Sequence, residues 1–473
     1  MRSKSKLKSN IIFSLAYQIL VLIVPLITAP YVSRVIGVSG IGDYQFSFSI
    51  AHYFVLFSML GVLNYGNREI AIVRDDPDRL SVQFWGIYSS QLWIGICCLG
   101  IYYIYVVCFQ KGMQQVLAFV QSIYVISGIL DISWFYFGVE KFRFTTSISA
   151  IVKILTTTLI FLYVKDYSDV WIYAMIISTG ELLNKLCFWI YLKHIISFRK
   201  PFEGNWKKHF RPLFILFIPV IAVSLYKYMD KIMLGILMNT FEVGIYESAE
   251  KFINLPMCAI AAVGTVMLSR ITNLKANSRN ANVARYNYIS MSLVMYLSCG
   301  MTFGLYGISS VFIPWFYGTA FSQSSKVLNV LLPSIVFVSW ANVIRTQNLL
   351  PNNRDNEYCI SVLFGAVINL VVNLISIPKY GAIGAAIGTT ISEATVCVIQ
   401  SIVCRRDMDF KMYIKTNIPF LICGFIMYLI IHQVALKSSL HTVIVRIAIG
   451  IGAYLTLSIF FVRKVIDKYQ TWK

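Results

Sequence analysis

Residues 81–108 read SVQFWGIYSSQLWIGICCLGIYYIYVVC, a run without one charged side chain. A helix that crosses a bilayer needs about 20 mostly apolar residues, because a rise of about 1.5 Å per residue has to cover a hydrocarbon core of about 30 Å. This stretch is long enough. Comparable runs lie near 10–36, 42–63, 113–137, 144–163, 170–195, 211–238, 245–268, 285–310, 326–349, 359–377, 382–404, 414–434 and 441–462, which makes about fourteen spans. The ten-residue alternation that a membrane barrel would require is absent. Composition agrees, since the 473 residues are 58% hydrophobic and 13% charged, whereas a soluble fold carries about 25% charged residues. The chain is read as an all-α integral membrane protein.

The 41 Lys and Arg against 21 Asp and Glu leave a net charge of +20. Sorted by loop parity, 28 cations fall on the side of the N-terminus, among them Arg2, Lys4, Lys6, Lys8, Arg463, Lys464, Lys468 and Lys473. Five fall opposite: Lys111, Lys165, Lys326, Lys379 and Lys437. Under the positive-inside rule both termini are cytoplasmic, and the basic loops face anionic lipid rather than nucleic acid. Met1–Asn10 resembles the basic start of a signal peptide. The apolar stretch behind it is too long and lacks a small-residue cleavage site, so it reads as a retained first helix. The ten cysteines lie almost all within spans without metal-ligand spacing and read as reduced core residues, with no metal and no cofactor. Trp134-Phe135-Tyr136 and Tyr102-Tyr103 read as interfacial aromatic belts. No loop exceeds roughly 20 residues, which leaves no room for an external catalytic domain and favours a transporter over a membrane polymerase or ligase.

The junction Gly37-Val38-Ser39-Gly40-Ile41-Gly42-Asp43-Tyr44 is echoed by Asn239-Thr240-Phe241-Glu242-Val243-Gly244-Ile245-Tyr246, and again by Lys379-Tyr380-Gly381-Ala382-Ile383-Gly384. Six helices per unit give two units of the same orientation. The expected division is a six-helix lobe over 1–200, a second over 201–410, and a helix pair with a tail over 411–473. Pro25 and Pro30 in the first helix and Pro219 in the seventh are candidate hinges, because proline removes a helical hydrogen bond.

Eight cations remain inside spans: Arg34, Lys153, Lys185, Lys227, Lys231, Lys251, Arg345 and Arg446. Each costs about 2.5–3.5 kcal/mol at a helix centre, so it is expected to find water, a partner or the interface. Arg345 and Arg446 lie near helix ends and can snorkel. Glu181 with Lys185 and Glu247 with Lys251 have the i,i+4 spacing of one helix face. Asp230 can neutralise only one of Lys227 and Lys231. The candidate anion-binding cations are therefore Arg34, Lys153, Lys227 and Lys231, with Lys251 beside them. Glu181, Asp230, Glu247, Asp131, Glu250 and Glu393 are the candidate charge-pairing or ion-coupling carboxylates, since desolvation brings such groups toward neutral pH.

Pro30-Tyr31-Val32-Ser33-Arg34-Val35-Ile36-Gly37 through Tyr44, and Asn64-Tyr65-Gly66-Asn67-Arg68-Glu69-Ile70-Ala71, resemble the start of polysaccharide-repeat flippases of the Wzx/RfbX type. Tyr228-Met229-Asp230-Lys231-Ile232-Met233-Leu234-Gly235, Gly244-Ile245-Tyr246-Glu247-Ser248-Ala249-Glu250-Lys251 and Tyr380–Ala386 resemble the same family, within the multidrug/oligosaccharidyl-lipid/polysaccharide exporter superfamily. The resemblance implies two lobes in a V around a central cavity, and the transfer of undecaprenyl-pyrophosphate-linked oligosaccharide across the bacterial plasma membrane for O-antigen or capsule assembly. It implies that Arg34 and Lys231 belong to a cationic cavity that binds the diphosphate, with Asp230 beside them as a charge-pairing residue, and that a coupling H+ or Na+ or the membrane potential gives direction. The final helix pair goes beyond the twelve spans of many such flippases, and in the lipid II flippases an added pair lines a groove for the lipid tail. Membrane lipids, a polysaccharide polymerase and a chain-length regulator are expected partners of a monomer. The alternatives are a drug/cation antiporter of the same superfamily, which would want an acidic cavity, and a polysaccharide polymerase or ligase.

Overall fold

A computed structural model describes residues 2–197, 202, 205–276, 280–436 and 438–471, with the side chains of 2–19 and of some later helical positions excepted. Those residues are almost wholly helical. The helices are α1 (Arg2–Met59), α2 (Val62–Val73), α3 (Pro77–Phe109), α4 (Gly112–Ile129), α5 (Ser133–Gly138), α6 (Phe142–Tyr163), α7 (Val170–Leu192), α8 (Phe210–Leu237), α9 (Thr240–Ala276), α10 (Asn280–Tyr317), α11 (Ser322–Ile344), α12 (Asp355–Tyr380), α13 (Ala382–Val403), α14 (Phe410–His432) and α15 (Ser439–Gln470). Eleven helical segments among the described residues are long and apolar enough to cross a membrane. The first of these, Ile23–Val73, holds parts of two sequence-read spans that Gly37 separates, and α7 and α8 cover two more. The spans read from sequence therefore lie mainly on helix, with that at 113–137 interrupted between Ile129 and Ser133. Apolar side chains point away from the protein, as at Phe109 (73% exposed) and Ile236 (68%), an arrangement that only lipid solvates well.

The chain forms two compact units, 1–232 and 233–473. In the first, α1 runs helical through Pro25 and Pro30 and breaks instead at Gly37, whose φ of 68° and ψ of −176° lie outside the helical region. A fixed proline φ suits a helix and costs it one hydrogen bond, whereas a positive φ reverses the local path and is cheap only for glycine. The Pro219 side chain lies outside those described.

Trp134, Phe135 and Tyr136 are fully buried, which corrects the interfacial-belt expectation for this cluster. The chain stops being helical after Ile129 and restarts at Ser133, and this break turns α5 into the unit. Trp134 stacks on Phe84 at 5.4 Å, while a Cβ at Gly66 of α2 would collide with the Trp134 indole. Tyr102 is likewise buried, and its hydroxyl donates to the Ala118 carbonyl at 2.7 Å. Only Tyr103 of that pair is exposed, at 37%.

The sequence echo has a structural counterpart inside each unit. Tyr44 packs edge-on against Tyr173 of α7 at 4.8 Å, and the Tyr246 and Thr389 hydroxyls, on α9 and α13, are 2.9 Å apart. In the second unit Glu242 Oε2 accepts the Ala382 amide at 2.7 Å where α13 begins, just past Gly381 with its φ of 57°. A carboxylate there satisfies an amide that the helix leaves unpaired.

All ten cysteines are free. Cys299, Cys397, Cys404 and Cys423 are core residues as read, but Cys97, Cys108 and Cys258 are exposed on helix surfaces.

Candidate functional site

In the first unit, Tyr44, Phe48 and His52 share one face of α1 at i, i+4 and i+8, the spacing that aligns side chains along a helix. Phe48 stacks on Tyr124 of α4 at 5.0 Å. His52 Nδ1 lies 2.8 Å from the Tyr124 hydroxyl, and its ring is 4.2 Å from that of Tyr228 on α8. Lys231 Nζ stands 5.5 Å from the centre of the same Tyr228 ring, a cation on an aromatic face. Tyr53 donates to the Ser224 carbonyl at 3.0 Å. Asp230 and Lys231 are only 2% and 4% exposed. Two opposite charges this deep in a membrane helix are costly unless each is neutralised or used.

A second charged cluster lies at the α4–α5 break. Lys185 of α7 binds Asp131, Nζ to Oδ2, at 2.8 Å. Asp131 Oδ1 also accepts the Ser133 amide at 2.8 Å and so begins α5. Gln91 closes the other side: its amide donates to the carbonyls of Gly128, Ile129 and Asp131 at 3.2, 3.1 and 3.0 Å, and its oxygen accepts Trp134 Nε1 at 3.1 Å. Helical spacing proposed Glu181 as the partner of Lys185. The structure gives Lys185 the carboxylate of the neighbouring break, because packing of α4 on α7 brings Asp131 within reach.

Of the other sequence-derived candidates, Arg34 is exposed on α1 and Lys153 is half-buried on α6, which packs against α1. One turn before Arg34, the Tyr31 hydroxyl donates to the Val164 carbonyl past the end of α6 at 2.7 Å. The Lys227 side chain lies outside those described. In the second unit Lys251 and Glu247 approach to 3.6 Å on α9, as their spacing proposed. Glu250 and Glu393 are partly buried on α9 and α13. Among the described residues no group of three or more His, Cys, Asp or Glu is placed to hold a metal ion.

Arg446 corrects the snorkelling expectation. It is 5% exposed and donates to the carbonyls of Gly307, Val434 and His432 at 2.6, 2.8 and 3.2 Å. It thereby ties α15 to α10 and to the end of α14, where free carbonyls favour a cation. Beside it opens an apolar groove of about 650 Å³ in the second unit, walled by α9, α10, α14 and α15. Its walls include Leu255, Met301, Gly304, Met427, Gly450 and Ile451.

Sequence reasoning passed over two histidines. His52 is one. The other, His209, is 1% exposed, with Nδ1 2.7 Å from the Tyr65 hydroxyl and Nε2 facing Gly86 of α3. Burial first, and Lys208 second, lower its pKa from 6.5 to about 4, so it is neutral at pH 7. With five histidines in the chain, each one within or beside an apolar run was the available signal. At the α11–α12 turn Arg354 binds Glu357, and its Nη1 lies 2.6 Å from Asp407; the Glu357 carboxylate keeps this guanidinium well above its ordinary pKa.

Comparison with known proteins gives a consistent picture. The model of a family described as "Polysaccharide biosynthesis protein" matches residues 7–274. Over 428 residues the chain is 23% identical to the "Putative O-antigen transporter" of Escherichia coli (strain K12), covering 89% of this chain and 99% of that protein. It is 24% identical over 213 residues to the "Probable low-salt glycan biosynthesis flippase Agl15" of Haloferax volcanii, covering 45% of each. Among solved structures, the lipid II flippase MurJ in an inward closed conformation superposes with a TM-score of 0.77 at 19% identity, over 96% of this chain and 100% of that one. The fold is thus of the MurJ type.

Proposed function

Because the chain belongs to the polysaccharide biosynthesis protein family, we propose that it is a flippase for lipid-linked oligosaccharides. It is a multi-pass membrane transporter. Its substrate is an undecaprenyl-pyrophosphate-linked repeat unit moved from the cytoplasmic to the external leaflet of the bacterial plasma membrane, for O-antigen or capsule assembly, with both termini cytoplasmic.

The observation that carries this reading is the buried cation Lys231 on α8, the kind of group a diphosphate needs inside a membrane protein. Arg34 and Lys231 contact the diphosphate, Asp230 limits the charge that Lys231 presents, and the sugars stay in water while the polyprenyl tail stays in lipid. The apolar groove of about 650 Å³ in the second unit has the chemistry that takes up such a chain. Alternating exposure of the site to the two leaflets is driven by an ion gradient, H+ or Na+, or by the membrane potential acting on the intramembrane charges. The chain acts as a monomer and hands its product to a polymerase and a chain-length regulator. A drug antiporter or a polymerase is not favoured, since the relatives are named as an O-antigen transporter and a glycan flippase.

The test is complementation of a deletion strain. Arg34→Ala and Lys231→Ala are expected to abolish surface polysaccharide while lipid-linked repeats accumulate on the cytoplasmic face. Wild-type surface polysaccharide with both variants would refute the anion site. Repeats accumulating unpolymerised outside would point to a polymerase instead.

A further inference from the structure

The His52–Tyr124 contact joins the two charged clusters of the first unit. On one side His52 lies 4.2 Å from the Tyr228 ring, and Lys231 Nζ stands 5.5 Å from the centre of that same ring, with Asp230 adjacent in sequence. On the other, the hydroxyl of Tyr124, on α4, sits 2.8 Å from His52 Nδ1, and just past the end of that helix Asp131 is held by Lys185. The groups that face the imidazole are thus Tyr124 from α4 and Tyr228 from α8. Behind them stand Asp131, Glu181 and Lys185 through the first, and Asp230, Lys231 and Tyr53 through the second. Phe48 covers the ring from its own helix at 5.8 Å, and α3 contributes the neutral Tyr102 and Tyr105 two residues further along, around Phe54. Imidazole is the group in this chain of contacts whose ordinary pKa lies near neutrality.

We propose that His52 is the proton-responsive residue of the anion site, placing a second cation beside Lys231 when it takes a proton from solvent and thereby tightening the hold on a diphosphate. The inference rests on the reading that Lys231 binds that diphosphate. With its proton on Nε2, neutral His52 accepts the Tyr124 hydroxyl proton at Nδ1. Protonated His52 must donate there, so the Tyr124 oxygen becomes the acceptor and its O–H turns away from the imidazole. Anion occupancy in turn raises the proton affinity of His52 by linkage.

The experiment uses the full chain in nanodiscs of zwitterionic lipid, titrated calorimetrically with inorganic pyrophosphate between about pH 5.5 and pH 8. Dividing the Kd of His52→Gln by that of the unsubstituted protein cancels the ionisation of pyrophosphate itself. The expected ratio is near one at pH 8 and about tenfold at pH 5.5, the size of a single charge acting across one ring in a partly screened site. A ratio unchanged across this range overturns the proposal. Tyr124→Phe, which keeps the ring and removes the hydroxyl, is expected to retain the pH-dependent tightening with a shifted midpoint; His52→Asn substitutes if the glutamine variant fails to fold. Lys231→Gln tests the underlying reading separately. Loss of binding at every pH supports it, and unaltered binding refutes it whatever His52 does. Absence of pyrophosphate binding by the unsubstituted protein overturns both.

Discussion

Lys185 and Asp131, 54 positions apart in the chain, meet at 2.8 Å where α4 ends and α5 begins. The carboxylate also starts α5 through the Ser133 amide, so this one side chain carries an ion pair and a helix start at once.

Removing one partner of a buried pair leaves an uncompensated charge, which costs about 3–5 kcal/mol. Lys185→Met is expected to lower the melting temperature of the detergent-solubilised protein sharply. Adding Asp131→Asn, which keeps an acceptor for Ser133, is expected to restore most of it. A double variant no more stable than Lys185→Met would show that the pair does not act as a unit.

His209 gives the fold an acid limit. Its pKa is lowered from 6.5 to about 4, so between those values the unfolded chain binds a proton that the native one refuses. Its contribution is complete above pH 6.5 and is lost as pH falls through that window toward 4. A His209→Gln variant, which can still accept from Tyr65, is expected to flatten thermal stability between pH 6.5 and pH 4.5. An equally steep profile in the variant would assign the acid sensitivity elsewhere.

Blocking the groove separates the lipid tail from the headgroup. A Cβ at Gly304 or Gly450 meets no atom closer than 3.9 or 3.6 Å, so alanine fits at either position. Leucine would fill the groove. Gly304→Leu and Gly450→Leu are expected to reduce surface polysaccharide at least tenfold in a complemented deletion strain while pyrophosphate binding stays unchanged. Full complementation by both would mean the tail travels elsewhere.

Gly37 isolates backbone strain, because a Cβ there has nothing within 4 Å and its φ is +68°. Gly37→Ala and Gly37→Asn are both expected to destabilise by about 1–3 kcal/mol, because φ 68° with ψ −176° is a region that glycine alone enters readily and asparagine's tolerance of the left-handed helical region does not extend there. Equal melting temperatures for all three would show that the kink moves to another residue.

Fold class was legible because membrane spans are a local property. Twenty apolar residues in a row mean the same thing whatever lies beside them, and the uncharged run at 81–108 lies within α3. The echoed junctions place Tyr44 on α1 and Tyr246 on α9, where they reach α7 and α13 respectively. Partnership was not legible. Helical spacing could offer Lys185 only the acids on its own helix, could offer Arg446 only the nearest interface, and could place Trp134 only in a belt. Tertiary packing decided these three, by laying α4 beside α7, bringing the Gly307 carbonyl to Arg446, and turning α5 inward at a break that leaves Trp134 fully buried. In the hydrocarbon region every charge and polar group must find its partner within the protein. Sequence by itself therefore determined where the chain crosses the membrane, and only the assembled helices decided which charges neutralise one another.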